Sequence, residues 1–96
     1  MSDDKIIGDY LIDKGIKISN LGFSNLVTAI RLCLEDRKNL ELVGKLSQKV
    51  GEINGYKASQ VEKTIRFAIS NSNEKGIAYK EFVARSVYDI LNIIED

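Results

Sequence analysis

Apolar residues recur along this chain at intervals of three and four rather than in alternation, a spacing that predicts helices from end to end. Ile6, Ile7, Tyr10 and Leu11 share one face of a first helix over about residues 3–14, and Asp3 and Asp4 in its first turn suit the positive end of the helix dipole. Gly15 stops it. Ile16-Lys17-Ile18-Ser19-Asn20 alternates apolar with polar and predicts a brief extended link. A second helix over about residues 23–35 directs Phe23, Leu26, Val27, Ile30 and Leu34 toward a core.

Past Asp36-Arg37-Lys38-Asn39, a third helix over about residues 40–53 carries Leu42, Val43, Leu46, Val50 and Ile53 on one side. Asn54-Gly55 ends it, because glycine takes the left-handed conformation common just past a helix C-terminus. Asn-Gly also marks β-hairpins, but here it lies between two helical stripes, which favours a turn between helices. The fourth helix opens at Ser59-Gln60-Val61-Glu62, the S-x-x-E pattern of a capping box. Ala58, Val61, Ile65, Ala68 and Ile69 fall on its inner arc. Ser59, Lys63, Arg66 and Ser70 point away, with Gln60 and Glu62 on the flanks. Phe67 also faces outward, either packed against another segment or partner or exposed at a cost, and packing is the expectation.

After the polar stop Asn71-Ser72-Asn73-Glu74-Lys75-Gly76, a fifth helix over about residues 79–94 aligns Tyr79, Val83, Val87, Ile90 and Ile94, broadened by Phe82, Leu91 and Ile93. So wide a face is either buried within the monomer or spare for a second copy. Tyr79, Val83, Val87 and Ile90, with Phe67, are therefore the candidate partner or homodimer contacts. The expected architecture is one all-α domain over residues 1–96, about five helices with a helix-turn-helix between residues 40 and 70.

Composition narrows the chemistry. No apolar run reaches the roughly 18 residues of a membrane span, and the acidic start Met1-Ser2-Asp3-Asp4 is unlike a secretory signal, so a cytoplasmic protein without a membrane partner is expected. The single cysteine, Cys33, leaves no internal disulfide. Beside an apolar stripe and near Glu35 and Asp36, it reads as a small buried hydrophobe more readily than as a reactive thiol. The chain has no histidine, which removes the usual zinc sites and His-based acid–base pairs. No catalytic residue, metal ligand or cofactor site is expected, and an enzyme is disfavoured.

A formal net charge of zero means that any polyanion-binding surplus of Lys and Arg must be local. Lys45, Lys49, Lys57, Lys63 and Arg66 outnumber Glu52 and Glu62 in the middle of the chain, whereas Asp3, Asp4, Asp9 and Asp13 outnumber Lys5 at its start. Ordinary scatter of charge over solvated helix faces is the plain alternative.

Helix-turn-helix spacing and a locally basic second helix point to double-stranded DNA, whose major groove accepts one helix with its N-terminal residues at the base edges. Gln60 suits adenine, Lys63 guanine and Glu62 a cytosine amino group. Lys57, Arg66 and the free N–H groups at the helix start around Ser59 suit phosphates.

Gly22, Leu26 and Ala29-Ile30, followed by Ser59-Gln60-Val61-Glu62-Lys63-Thr64-Ile65-Arg66-Phe67-Ala68-Ile69, resemble the C-terminal DNA-binding effector domain of the sporulation master response regulator of endospore-forming bacteria. The resemblance covers roughly residues 10–76, its most specific part being S-x-V-E-[RK]-x-I-R, and Glu81-Phe82-Val83 resembles the start of that family's last helix. It implies an all-α domain that reads the major groove and binds as a pair on repeated sites, with base-contacting positions at Gln60, Glu62 and Lys63. Gln60 and Lys63 stand where the family has arginines, Phe67 replaces a histidine, and no tryptophan follows the recognition helix. The family's longer insert before the last helix is reduced to about Gly76-Ile77-Ala78. No phosphoacceptor receiver domain is expected ahead of this one, so phosphorylation-switched control is not carried over. The expectation is a stand-alone bacterial, phage or plasmid-borne transcriptional regulator or nucleoprotein accessory factor. The rival expectation is a protein–protein module, such as an inhibitor, that keeps the fold without binding DNA.

Overall fold

Among the described residues five α-helices follow one another in chain order: α1 (Asp3–Asp13), α2 (Leu21–Glu35), α3 (Val43–Asn54), α4 (Ala58–Ser70) and α5 (Tyr79–Glu95). A short 3-10 helix, Arg37–Leu40, sits between α2 and α3. The structure is a computed structural model that describes residues 3–95; Met1, Ser2 and Asp96 lie outside the described residues. Among the described residues there is no strand, and no helix is long and apolar enough to cross a membrane. The all-α expectation holds, and several of its details change.

Gly15, at φ 87°, ends α1 as expected. The link that follows is a turn rather than an extended segment. The Asn20 N–H donates to the Lys17 carbonyl at 3.0 Å, and the Asn20 side chain accepts from the Gly22 N–H at 2.9 Å. That cap starts α2 two residues earlier than the apolar spacing suggests.

The buried face of α2 is also turned relative to the predicted one. Gly22, Asn25, Leu26, Thr28, Ala29, Ile30 and Cys33 are buried, whereas Phe23, Val27 and Leu34 are only partly so. The cause is close contact between helices. A Cβ on Gly22 would collide with the Thr64 carbonyl oxygen and lie 2.7 Å from Ala68 Cβ, so small side chains occupy the line where α2 meets α4.

The third predicted helix divides. Leu40 belongs to the 3-10 helix, whose start is fixed by the Asp36 carboxylate accepting from the Lys38 N–H at 3.0 Å. Leu42 is the extended residue before α3, and both Leu42 and Ile53 are exposed. Leu46, Ser47, Val50 and Gly51 make the inner face.

Tyr79, Phe82, Val83, Ser86, Val87 and Ile90 of α5 are buried against α1, α2, α4 and the 3-10 helix. The wide face is therefore absorbed by the chain's own core. Tyr79, Val83, Val87 and Ile90 are each at most 3% exposed, so none is available as an outer dimer contact. Ile93 and Ile94, one turn further, are exposed.

Long-range polar contacts close the bundle. The Tyr10 hydroxyl donates to Asp89 at 2.7 Å, and the Ser47 and Tyr79 hydroxyls share a hydrogen bond of 3.0 Å. Burial pushes the Tyr79 phenol up to about 12, partly offset by Ser47, and burial with the Asp89 contact raises Tyr10 further. Lys14 pairs with Glu74 at 3.1 Å while the Asn73 N–H donates to the Lys14 carbonyl at 2.9 Å, fastening the α4–α5 connection to the end of α1.

Candidate nucleic-acid interface

The turn between α3 and α4 is built on Gly51 and Gly55. The N–H groups of Gly55 and Tyr56 donate to the Gly51 carbonyl at 2.7 and 2.9 Å, and Gly55 sits in the left-handed region at φ 85°. A side chain on Gly51 would strike the Tyr56 carbonyl oxygen, so the turn folds directly over that residue. The chain leaves through Lys57 in an extended conformation and enters α4 at Ala58.

The expected Ser59–Glu62 capping box is not the one formed. Lys57 is the cap residue, and its N–H donates to Gln60 Oε1 at 3.0 Å. The tight turn sets where helical backbone begins, which shifts the reciprocal role from Glu62 to Gln60. Ser59 lies exposed in the first turn, and Glu62 approaches Arg66 Nη2 at 3.9 Å across one turn of the same helix.

Behind this pair of helices lies a polar clamp. Asn25 of α2 donates to Thr64 Oγ1 at 2.9 Å, and Asn54 of α3 donates to Asn25 Oδ1 at 2.9 Å and to Thr28 Oγ1 at 3.1 Å. Thr64 donates onward to the Val61 carbonyl at 3.0 Å. One fully buried asparagine thus ties α2 simultaneously to the end of α3 and the middle of α4. The sequence reading missed it. Its signal was the spacing of Asn25 and Thr28 on the inner side of an otherwise apolar helix.

Of the predicted DNA-contacting residues, Lys57, Ser59, Gln60, Lys63 and Arg66 are exposed on α4 or its cap, and Glu62 is half-buried at the flank. From Lys57 to Arg66 they extend over about 13 Å of helical rise. The Gln60 carbonyl oxygen is already engaged, so its two amide N–H donors are its free chemistry. Phe67 is 61% exposed on the same outward side, beside Gly15, Lys17, Asn20 and Asn71.

Two further basic positions, Lys38 and Lys80, border grooves on the surface. Lys38 faces a groove of about 300 Å³ together with Lys45, Lys49, Asp36 and Glu41. Lys80 and Arg66 border a second groove of about 450 Å³ between the start of α3, the end of α4 and the start of α5. Cys33 is fully buried, its thiol pushed up to about 11 by burial despite Arg37 and Lys49 nearby.

Residues 7–89 match the family described as sporulation initiation factor Spo0A C terminal. No curated protein and no solved structure matches the chain significantly.

Proposed function

The chain belongs to the sporulation initiation factor Spo0A C-terminal family, DNA-binding domains of a sporulation regulator, and from that premise we propose that it is a sequence-specific DNA-binding protein whose α4 enters the major groove. The observation that carries this reading is the outward side of α4. Ser59, Gln60, Lys63 and Arg66 are all exposed there, on a helix-turn-helix tied from behind by the hydrogen bonds of Asn25, Asn54 and Thr64, with Gln60 alone among the four also capping α4.

In this reading Lys63 donates to guanine O6 and N7, and the Gln60 amide donates to an acceptor such as purine N7. Glu62, at the flank, accepts from a cytosine amino group when Arg66 turns to a phosphate. Lys57 and the first N–H groups of α4 around Ser59 hold another phosphate at the helix dipole's positive end. Lys38, Lys45 and Lys49 supply local positive charge along the 3-10 helix and α3, where a preceding helix crosses the backbone in such complexes. This local surplus reconciles a net charge of zero with an anionic partner.

The test is a fluorescence-anisotropy titration of the full chain with duplexes enriched from a random library, repeated over a salt series. Binding that weakens linearly in log–log form with salt, and that separates enriched from scrambled duplexes by a factor of a thousand or more on the order typical of specific binders, supports the proposal. Equal, weak binding to both sequences would sink it.

A further inference from the structure

We infer that Phe67 is a specificity-determining residue that reads the 5-methyl group of a pyrimidine in the major groove, an inference resting on the DNA-binding reading above. At about 100° per residue, Phe67 lies about 20° around α4 from Gln60 and about 40° from Lys63, and about 10 Å further along the axis. It therefore continues the same outward side by about three base steps. It is also the one large apolar side chain there, 61% exposed, where Lys63, Arg66 and Ser70 are polar.

Its surroundings do not cover it. The shallow groove beside the ring is lined by Gly15, Lys17, Asn20, Ala68 and Asn71, and only Ala68 offers an apolar side chain. The Asn71 side chain is engaged with the Phe67 carbonyl at 3.0 Å, which holds the end of α4 in place without shielding the ring. Lys17, exposed on the α1–α2 turn, stands next to the ring where it can meet the phosphate flanking that base. An aromatic ring on a readout helix, framed by a cation and amides, has one apolar target on the base edges of the major groove, the C5-methyl group. That group is carried by thymine and by 5-methylcytosine alike.

The experiment takes the best duplex from the random-library enrichment and replaces each thymine in turn with deoxyuridine, which removes only the methyl group. For the unmodified chain, one position should lose about fourfold in affinity, the worth of one buried methyl-sized group. Phe67→Ala should bind that duplex more weakly and show no loss at that position, while Phe67→Leu should keep most of it. At the same position, cytosine against 5-methylcytosine separates the two sources: recovery with 5-methylcytosine shows that the methyl group itself is read, and no recovery confines the reading to thymine. If Phe67→Ala retains every deoxyuridine penalty, Phe67 does not read a methyl group and the inference is overturned. If no duplex is enriched at all, the DNA-binding reading has failed first, and the two failures are distinct. Because the side chain is exposed, circular dichroism of both variants should match the parent chain.

Discussion

Asn54, the last residue of α3, donates its side-chain amide to the carbonyl oxygen of Asn25 in α2 at 2.9 Å, while the Asn25 amide is committed to Thr64 of α4. The orientation of the two helices that form the helix-turn-helix is thus referred to a single buried amide on a third helix. Removing one partner from such a network leaves the others unsatisfied in a place water does not reach, which costs more than the lost bond itself.

Asn25→Ala should therefore lower the unfolding free energy by about 2–4 kcal/mol, combining unsatisfied groups with a small cavity. Urea denaturation followed by circular dichroism measures it. A loss below about 0.5 kcal/mol would mean that the asparagine is dispensable.

Glycines at two positions should answer oppositely to alanine. Gly22→Ala forces a methyl group into the Thr64 carbonyl and Ala68, and should destabilise by about 1–3 kcal/mol through overpacking. Gly44→Ala, with nothing within 4 Å of the added carbon and a helical position in α3, should stabilise by several tenths to about 1 kcal/mol. Thermal melts of the pair decide whether α2 and α4 touch as closely as described.

Lys63→Ala and Lys57→Ala separate the two kinds of DNA contact. The first should narrow the gap between the enriched duplex and its single-base variants by about 1–3 kcal/mol at one position. The second should weaken all duplexes alike and reduce the salt slope by about 1. Identical effects from both would remove α4 as the reading helix.

Gln60 serves folding and recognition with the same side chain. In Gln60→Glu the carboxylate accepts the Lys57 N–H more strongly and sits at the positive end of α4, so the melting temperature should rise slightly, by the equivalent of about 0.3–1 kcal/mol. The same charge faces the phosphates and has lost both amide donors, so DNA affinity should fall by at least tenfold, about 1.4 kcal/mol. Melting curves and anisotropy on one preparation test both signs.

Alkaline pH should destabilise the fold through three buried acids, Cys33, Tyr79 and Tyr10, the last raised furthest by burial and Asp89. The Cys33 thiol is raised from 9.0 to about 11 and the Tyr79 phenol from 10.0 to about 12, chiefly by burial. In each case the unfolded chain releases its proton first, so the contribution is complete below the unfolded value and is lost as pH rises through the folded one. Urea midpoints should fall between about pH 9 and pH 12. Cys33→Ala should flatten the lower part of that decline, and an unchanged curve would mean that the thiol is not sheltered.

The helices were legible because each carries apolar residues at helical spacing and because Gly15 and Gly55 take the left-handed backbone that ends α1 and α3. Leu42 and Ile53 fit the same spacing yet are exposed, since α3 is covered by neighbours only along Leu46, Ser47, Val50 and Gly51. Periodicity reports which residues share a face, not how far the neighbouring helix extends over it. The Ser59–Glu62 pattern failed for a related reason: the turn over Gly51, not the side-chain motif, decides where helical backbone begins. The joint role of Asn25, Thr28 and Thr64 was not legible because a buried polar side chain declares itself only when its partner, dozens of positions away, is in view. At the candidate interface, Lys63 and Arg66 were legible from helical spacing, whereas the engaged state of Gln60 was not.

The hydrogen bond from Tyr10 to Asp89 joins positions 79 residues apart. During synthesis α1 can settle on α2 as soon as both have emerged, but its other wall is α5. That side of α1 therefore closes only after Asp89 has left the ribosome.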